Sequence, residues 1–344
     1  MIPKHILSTS QFDLPFIAEF YKQYRSIKKQ WLDPKKRASL RHVLDGEIVG
    51  SYFWQPSTRT HDSFLKAALR LGASVLDERG IPELDGNGRP TGRYRLVFSS
   101  ESKKERFSDS IITWAMHKFA IVLRHYEEGY VSKAARILDA RGCPTHVYNG
   151  GDGPGEHPTQ ALIDLVTLLD FLNLCPDPYR RIDCDLDFQF AGDGKFGRTA
   201  HSLAPLLGIV FDCPRINFAA PSKWQYPLKR LSQLEELGVR YSFTETPVQS
   251  KIVYVMRINA DDYNDSSSQY PREFVVDQQA LEKFGWEYVM HPFPRWDEIP
   301  EWDVDDPSTH VVSIDMLPQA GYFAQMENGV PVRKTLFYMH ANEE

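Results

Sequence analysis

Long apolar runs are missing from this sequence. No stretch approaches the ~18 uninterrupted apolar residues of a membrane-spanning helix, and the opening MIPKHILSTSQFDLPF lacks the apolar core of a secretion signal. Secretion and membrane insertion are therefore not expected, and a cytoplasmic location is. Cysteine is scarce: Cys143, Cys175, Cys184 and Cys213 are the only four, with no C-x-x-C pair among them. That spacing suits neither a zinc site nor a disulfide framework and predicts reduced, structural thiols. Positive charge is not in excess. Lys and Arg number 40 against 46 Asp and Glu, a net charge of −6, which gives no electrostatic reason to expect nucleic acid or an anionic membrane as a partner. Internal repeats and low-complexity tracts are also absent.

What is present is material for two cores. The 344 residues are 42% hydrophobic and 25% charged, a globular mixture too long for one ordinary domain and about right for two, at roughly 100–200 residues each. Apolar residues near helical spacing predict a first helix over Phe12–Lys28. A strand over Glu47–Trp54 then leads into Gln55-Pro56-Ser57-Thr58-Arg59-Thr60 and a helix through Arg70. Gly80, Pro82, Gly86, Gly88, Pro90 and Gly92 mark residues 77–98 as a turn-rich loop or β-hairpin. A helix from Ser108 past Met116 precedes a buried strand at Ile121–Arg124. Another short strand, Thr145–Tyr148, ends in a glycine-rich loop from Asn149 to Gly155.

His157-Pro158 opens a helix to Leu172, with proline at a favourable first-turn position. Cys175–Asp183 reads as a linker between domains. The strand–helix rhythm resumes with a strand at Asp187–Ala191, a helix at Arg198–Leu207, a strand at Ile216–Ala219 and a helix at Leu228–Leu237. Further strands follow at Ile252–Val255 and Tyr288–Met290, and one closing helix over Gly321–Met339. Alternating strands and helices predict an α/β protein with open, largely parallel sheets in both halves.

Four segments carry groups suited to chemistry. Ser57-Thr58-Arg59-Thr60 sits at a strand-to-helix turn, where unpaired N–H groups, hydroxyls and a guanidinium would hold a phosphate; the alternative is an ordinary Ser/Thr cap beside a solvated Arg. Gly192-Asp193-Gly194-Lys195-Phe196-Gly197 is formally G-x-G-x-x-G. A dinucleotide site would need an acidic residue ending the next strand, and Pro221-Ser222 stands there instead. Otherwise the motif is a glycine turn that aims Arg198 from the sheet edge. His157-Pro158-Thr159-Gln160 offers an imidazole to polarise a carbonyl and an amide to hold an amine, or simply a capping His and a surface Gln. His291-Pro292-Phe293-Pro294-Arg295 makes a stiff loop at a strand's C-terminal end, where open α/β sheets place ligands. Its carbonyls could accept from a substrate NH₂, or the loop is structural.

Taken together and in this order, these segments resemble the transcarbamylase family over nearly the whole chain, and its aspartate branch most. Pro56–Thr60 with Ser63-Phe64 resembles the carbamoyl phosphate signature, and His157–Leu165 the His-Pro-x-Gln helix. Gly192–Leu203 resembles the Gly-Arg-Thr-x-His-Ser-Leu segment. Met256-Arg257, His291–Ile299 and Gln319–Arg333 match the later motifs and the returning C-terminal helix. The ornithine branch carries a cysteine-bearing His-Cys-Leu-Pro motif and a Ser-Met-Gly loop, and this chain has neither.

The resemblance implies two open α/β domains joined by interdomain helices: residues 1–157 for carbamoyl phosphate, 158–315 for aspartate, and 316–344 returning to the first domain. It implies attack of the aspartate amine on carbamoyl phosphate in pyrimidine biosynthesis, with no metal or organic cofactor. Ser57, Thr58, Arg59 and Thr60 would bind phosphate. Arg124, Thr60 and His157 would contact the carbonyl oxygen. Gln160 and the backbone of Phe293 and Pro294 would hold the carbamoyl NH₂. Arg198 and Arg257 would clamp the two carboxylates of the acceptor, with Asn259 also in the substrate-binding set. The family borrows a Ser and a Lys from a neighbouring subunit, here Ser99 and Lys103, with Ser102 and Lys104 as close rivals. Shared sites would make the protein a homotrimer or an assembly of trimers.

The chain departs from the family in places. His61 stands where a second Arg is usual and Leu65 where a Glu is. The Gln-Lys-Glu-Arg stretch after the Met-Arg pair is replaced by Asn259-Ala260-Asp261-Asp262, which exchanges basic residues for acidic ones near the acceptor. Val75–Phe98 is longer than the family norm. Beside the aspartate enzyme, these departures keep two alternatives: a transcarbamylase with another amine acceptor, and a catalytically silent homologue acting as a binding or assembly partner.

Overall fold

A computed structural model describes residues 1–97, 105–257 and 271–343. The chain divides into two compact units. The first comprises Met1–Ile163, Cys175–Tyr179 and Asn328–Glu344; the second comprises Asp164–Leu174 and Arg180–Glu327.

The first unit opens with α1 (Leu14–Leu32), started by Asp13, whose carboxylate accepts from the Phe16 N–H at 2.8 Å, with a proline in the first turn. Next come α2 (Pro34–Leu40), β1 (Ile48–Phe53), α3 (Thr58–Arg70), β2 (Ser74–Leu84) and β3 (Pro90–Leu96). They are followed by α4 (Phe107–Ala115), β4 (Ala120–His125), α5 (Tyr130–Ala140), β5 (His146–Asp152) and α6 (Pro158–Leu172). The sheet order is β3-β2-β1-β4-β5, parallel throughout except for the β2–β3 pair. β1 and β4 are continuous buried runs, the pattern of strands covered on both faces. Tyr52, Trp54, Ile121, Leu123, Val131, Leu138 and Val147 form one core there.

The second unit contains β6 (Asp187–Gly192), α7 (Arg198–Val210), β7 (Arg215–Ala219), α8 (Leu231–Glu236), β8 (Arg240–Thr244) and β9 (Ile252–Met256). It closes with α9 (Gln278–Phe284), β10 (Tyr288–Met290) and α10 (Gly321–Glu327); α11 (Gly329–Ala341) belongs to the first unit. The order β10-β9-β6-β7-β8 is wholly parallel. Val253, Val255, Phe274, Trp286, Val289, Ile299 and Tyr322 are central to its core. α6 runs from the first unit into the second, and Leu162, Leu165, Val166, Leu168 and Leu169 along it are all fully buried. A helix buried along most of its length is a core helix, and each such leucine or valine contributes about 1.5–3 kcal/mol by leaving water.

Several elements differ from the sequence expectation. β5 continues through Asn149, Gly150 and Gly151 to Asp152, where a loop is expected, because glycine lets the strand pass close beneath its neighbours. Of the two readings of the turn-rich stretch, by contrast, the structure takes the hairpin, β2 with β3. The helix expected over Leu228–Leu237 splits into a 3₁₀ turn, Leu228–Arg230, and the short α8. The single closing helix is two, broken at Asn328. Among the described residues no helix is long and apolar enough to cross a membrane, and the four cysteines are free thiols.

Candidate active site

In the first unit the candidate residues converge on the C-terminal ends of β1, β4 and β5. Ser57 occupies the N-cap position of α3 with extended backbone, yet its side chain makes no capping bond. Ser57 thus does not occupy the first-turn amides itself, and a helix start of this kind is where anions are received. The ordinary-cap alternative is not what the structure adopts. Thr58 is exposed, while Ser57 and Arg59 are half-buried. Burial pulls the Arg59 guanidinium below its ordinary value, and an Arg so placed remains charged at neutral pH.

Behind this helix end sits a buried polar group. Thr60 Oγ1 lies 3.1 Å from His157 Nε2, and both residues are under a tenth exposed. Arg124, at the end of β4, is also buried and donates from Nη1 to the Gly150 carbonyl at 2.9 Å. The extension of β5 is what supplies that carbonyl. Gln160 stands half-buried in the first turn of α6, its N–H donating to the His157 carbonyl at 2.9 Å. Hydroxyl, imidazole and guanidinium therefore share the end of one sheet.

Two supports escaped sequence reasoning. His61 is buried, with Nε2 2.6 Å from Asp77 Oδ1 on β2. Burial opposes the Asp77 charge, but the bonds and charge of His61, together with Arg79, hold its carboxyl below the usual range. The departure at position 61 is thus a hydrogen-bonded pair joining α3 to β2. Arg333 on α11 is buried, donating to Ser63 Oγ at 2.5 Å and to Thr159 Oγ1 at 3.4 Å, with its guanidinium 4.6 Å from the Phe64 ring centre. It ties α3 to the start of α6. The only sequence signal for it was its place in the returning tail.

In the second unit Arg198 is the first residue of α7 and Arg257 follows β9; both are half-buried, and Arg257 lies 5.1 Å from the Trp296 ring centre. The turn before Arg198 closes on itself. Asp193 Oδ1 accepts from the N–H groups of Lys195 and Phe196 at 2.9 and 3.0 Å. A Cβ on Gly197 would stand 2.4 Å from the Asp193 carbonyl oxygen. The carboxylate thus sits where a dinucleotide's pyrophosphate would need those amides, which selects the glycine-turn reading over the dinucleotide one.

Phe293 and Pro294 lie in a loop held from beneath. Phe293 has φ 55°, uncommon for a bulky residue, and the Phe293–Pro294 peptide is cis. His291 Nδ1 accepts from the Phe293 N–H at 2.9 Å, so its proton is on Nε2, 2.9 Å from the buried Glu298. The His291 N–H donates to Gln325 Oε1, whose amide nitrogen donates to Asp164, which also accepts from Tyr254. Arg295 is engaged by Asp315. Ser99, Lys103 and Asn259, with the rivals Ser102 and Lys104 and the Asp261-Asp262 pair, lie outside the described residues. Among the described residues no cluster of three or more His, Cys, Asp or Glu is arranged to hold a metal.

Comparison with known proteins matches residues 4–170 to the carbamoyl-P binding domain of aspartate/ornithine carbamoyltransferases. The chain is 31% identical over 347 residues to the aspartate carbamoyltransferase catalytic subunit of Vibrio campbellii, covering 99% of this chain and 97% of that one. Among solved structures it resembles the catalytic subunit of M. jannaschii aspartate transcarbamoylase, with a TM-score of 0.76, 28% identity and coverage of 98% and 97%. It also resembles the Trypanosoma cruzi aspartate transcarbamoylase in complex with N-(phosphonacetyl)-L-aspartic acid, with a TM-score of 0.74, 26% identity and coverage of 97% and 94%.

Proposed function

The chain belongs to the aspartate/ornithine carbamoyltransferase family, and on that premise we infer that it transfers the carbamoyl group of carbamoyl phosphate to the amine of L-aspartate. The products are N-carbamoyl-L-aspartate and phosphate, a step of pyrimidine biosynthesis. The observation that carries the reading is the open, uncapped start of α3 beside the buried Thr60–His157 pair and Arg124.

The chemistry assigned to these groups is positioning and charge stabilisation. The amine nitrogen bonds to the carbonyl carbon, the carbonyl electrons move onto oxygen, and the bond to the phosphate oxygen then breaks as the amine loses a proton. Ser57, Thr58, Arg59 and Thr60 would hold the phosphate, and Arg59 would offset the charge growing on it as it leaves. Thr60, His157 and Arg124 would face the carbonyl oxygen as it becomes an oxyanion. Gln160 and the backbone of Phe293 and Pro294 would hold the NH₂. Arg198 and Arg257 would each fork onto a carboxylate of aspartate, with Asn259 beside them. Ser99 and Lys103 would come from a neighbouring subunit, making the working form a homotrimer. The free thiols support a cytoplasmic location.

The test is phosphate release dependent on both substrates, with N-carbamoyl-L-aspartate identified in the products and ornithine and other amines run in parallel. Saturable turnover with aspartate is expected. Turnover confined to another amine would overturn the acceptor assignment; no turnover with any amine would overturn the activity.

A further inference from the structure

The second unit holds a cavity of about 490 Å³ that none of the residues assigned to the transfer reaction lines. It opens at the C-terminal ends of β6, β7 and β8, the end of an open parallel sheet where ligands bind. Its walls include Lys195, Ser222, Lys223, Tyr226, Leu228 and Phe243. Two backbone amides there are already committed: the N–H groups of Gly194 and Lys195 both donate to the Trp224 carbonyl, at 2.8 and 3.1 Å. Recognition therefore falls to side chains.

Those side chains are of two kinds. Lys195 and Lys223 present exposed ammonium groups, each over the ring of its own neighbour, Phe196 at 5.3 Å and Trp224 at 4.4 Å. Neither has a carboxylate within ion-pair distance among the described residues. The Ser222 hydroxyl donates to Glu245 at 2.7 Å, which occupies the nearby acid. Beside the lysines stand apolar surfaces left in water: Leu228 is 76% exposed and Phe243 is 38% exposed. Phe243 and the buried Tyr226 both stack on Phe218, at 5.7 and 4.3 Å between ring centres, so the aromatic part of the wall is packed from behind. A free inorganic anion would gain nothing from the wall, and a neutral apolar molecule nothing from the ammonium pair. The volume is that of a small-molecule site.

We propose that this cavity binds a small organic anion with a flat aromatic body, its carboxylate or phosphate on Lys195 and Lys223 and its ring against Leu228 and Phe243. Its occupant is then distinct from the substrates assigned to the transfer reaction.

The experiment is fluorine NMR of 4-fluorophenyl phosphate and 4-fluorobenzoate titrated with the full chain, with 4-fluorophenol as the uncharged control. Saturable binding of at least one anion is expected, at least tenfold tighter than the phenol, and whichever binds better identifies the anionic group. Lys223→Gln and Phe243→Ala should each weaken it at least fivefold while leaving carbamoyl transfer unchanged. Arg59→Ala, which disables the first unit's anion site, should leave it intact. Absence of saturable binding, phenol binding as well as the anions, or binding untouched by Lys223→Gln and Phe243→Ala would each overturn the proposal. Loss with Arg59→Ala alone would place the probe at α3 and overturn it too.

Discussion

A guanidinium at the start of a helix has more to offer an anion than the same group on open surface, because amides, dipole and full charge act from one side. Arg59 has that position, half-buried beside an N-cap that spends none of its own oxygen. Arg59→Ala should lower turnover by about 10²–10³, the range for removing one preorganised charge-stabilising donor, with an unchanged circular dichroism spectrum. An unaltered rate would remove it from the mechanism. His61 contributes through structure: His61→Ala should cost about 1–3 kcal/mol of stability, because the partly buried Asp77 then loses the nearer of its two ion-pair-distance partners. The double variant with Asp77→Ala should cost clearly less than the sum of the singles in urea titration; simple additivity would show the pair to be uncoupled. At this scale residue types were legible and partners were not. Ser57, Arg59, Thr60 and His157 could be singled out because their chemistry is local to a turn, whereas Arg124 entered only through the family resemblance. The tie from His61 to Asp77 crosses 16 residues and that from Arg333 to Ser63 crosses 270, distances over which spacing carries no signal.

Elements with a strong period were legible as well. β1, β4, α6 and β6 lie where alternation, apolar runs or a proline start put them. α5 was not anticipated, and the reason is visible in its first turn. Its N-cap is Gly129 at φ 85°, and the helix amides of that turn go to Asp152 at the end of β5 rather than to a neighbour in sequence. The Gly129 N–H reaches Asp152 Oδ2 at 2.8 Å and the Val131 N–H reaches Oδ1 at 3.3 Å. Asp152→Ala should therefore cost about 1–2 kcal/mol, as loss of a helix cap does. The loss should appear as faster amide exchange in the first turn of α5; protection equal to wild type there would show that the cap contributes nothing. The same residue explains why β5 outruns its expected end, since the strand must continue to bring the carboxylate under α5.

For the whole molecule, acid is the informative stress. Burial lowers His125 to about 4 and, with the charge of His146 beside it, His340 to about 3; His5 and His146 are lowered too, chiefly by burial. A histidine depressed in the folded state takes up its proton first in the unfolded chain. Stability is therefore full above pH 6.5 and falls as pH drops toward the folded values. At pH 5, His125 and His340 should each withdraw about 2 kcal/mol relative to pH 7. Asp152, raised chiefly by burial, opposes the trend only near its own titration. The urea midpoint should thus fall between pH 7 and 5, and His340→Gln should flatten that fall; a flat wild-type profile would contradict the assignment. Assembly is tested separately. Mixing Arg59→Ala with Lys103→Ala chains should restore part of the activity if each site draws on two subunits, whereas proven mixed trimers without rescue would argue for self-contained sites.

The break of the chain's last helical stretch at Asn328 also bears on the order of events during synthesis. α11 completes the first unit: Arg333 joins α3 to α6, and His340 Nε2 donates to the Pro3 carbonyl at 2.9 Å. The first unit is thus made of the chain's two ends, and most of the second is encoded between them. At about 5–20 residues per second, roughly ten to thirty seconds of translation separate Ile163 from Asn328. For that interval the helix N-terminus at Ser57 exists without the helix that braces it. The half that emerges first on the ribosome is therefore the half that finishes last.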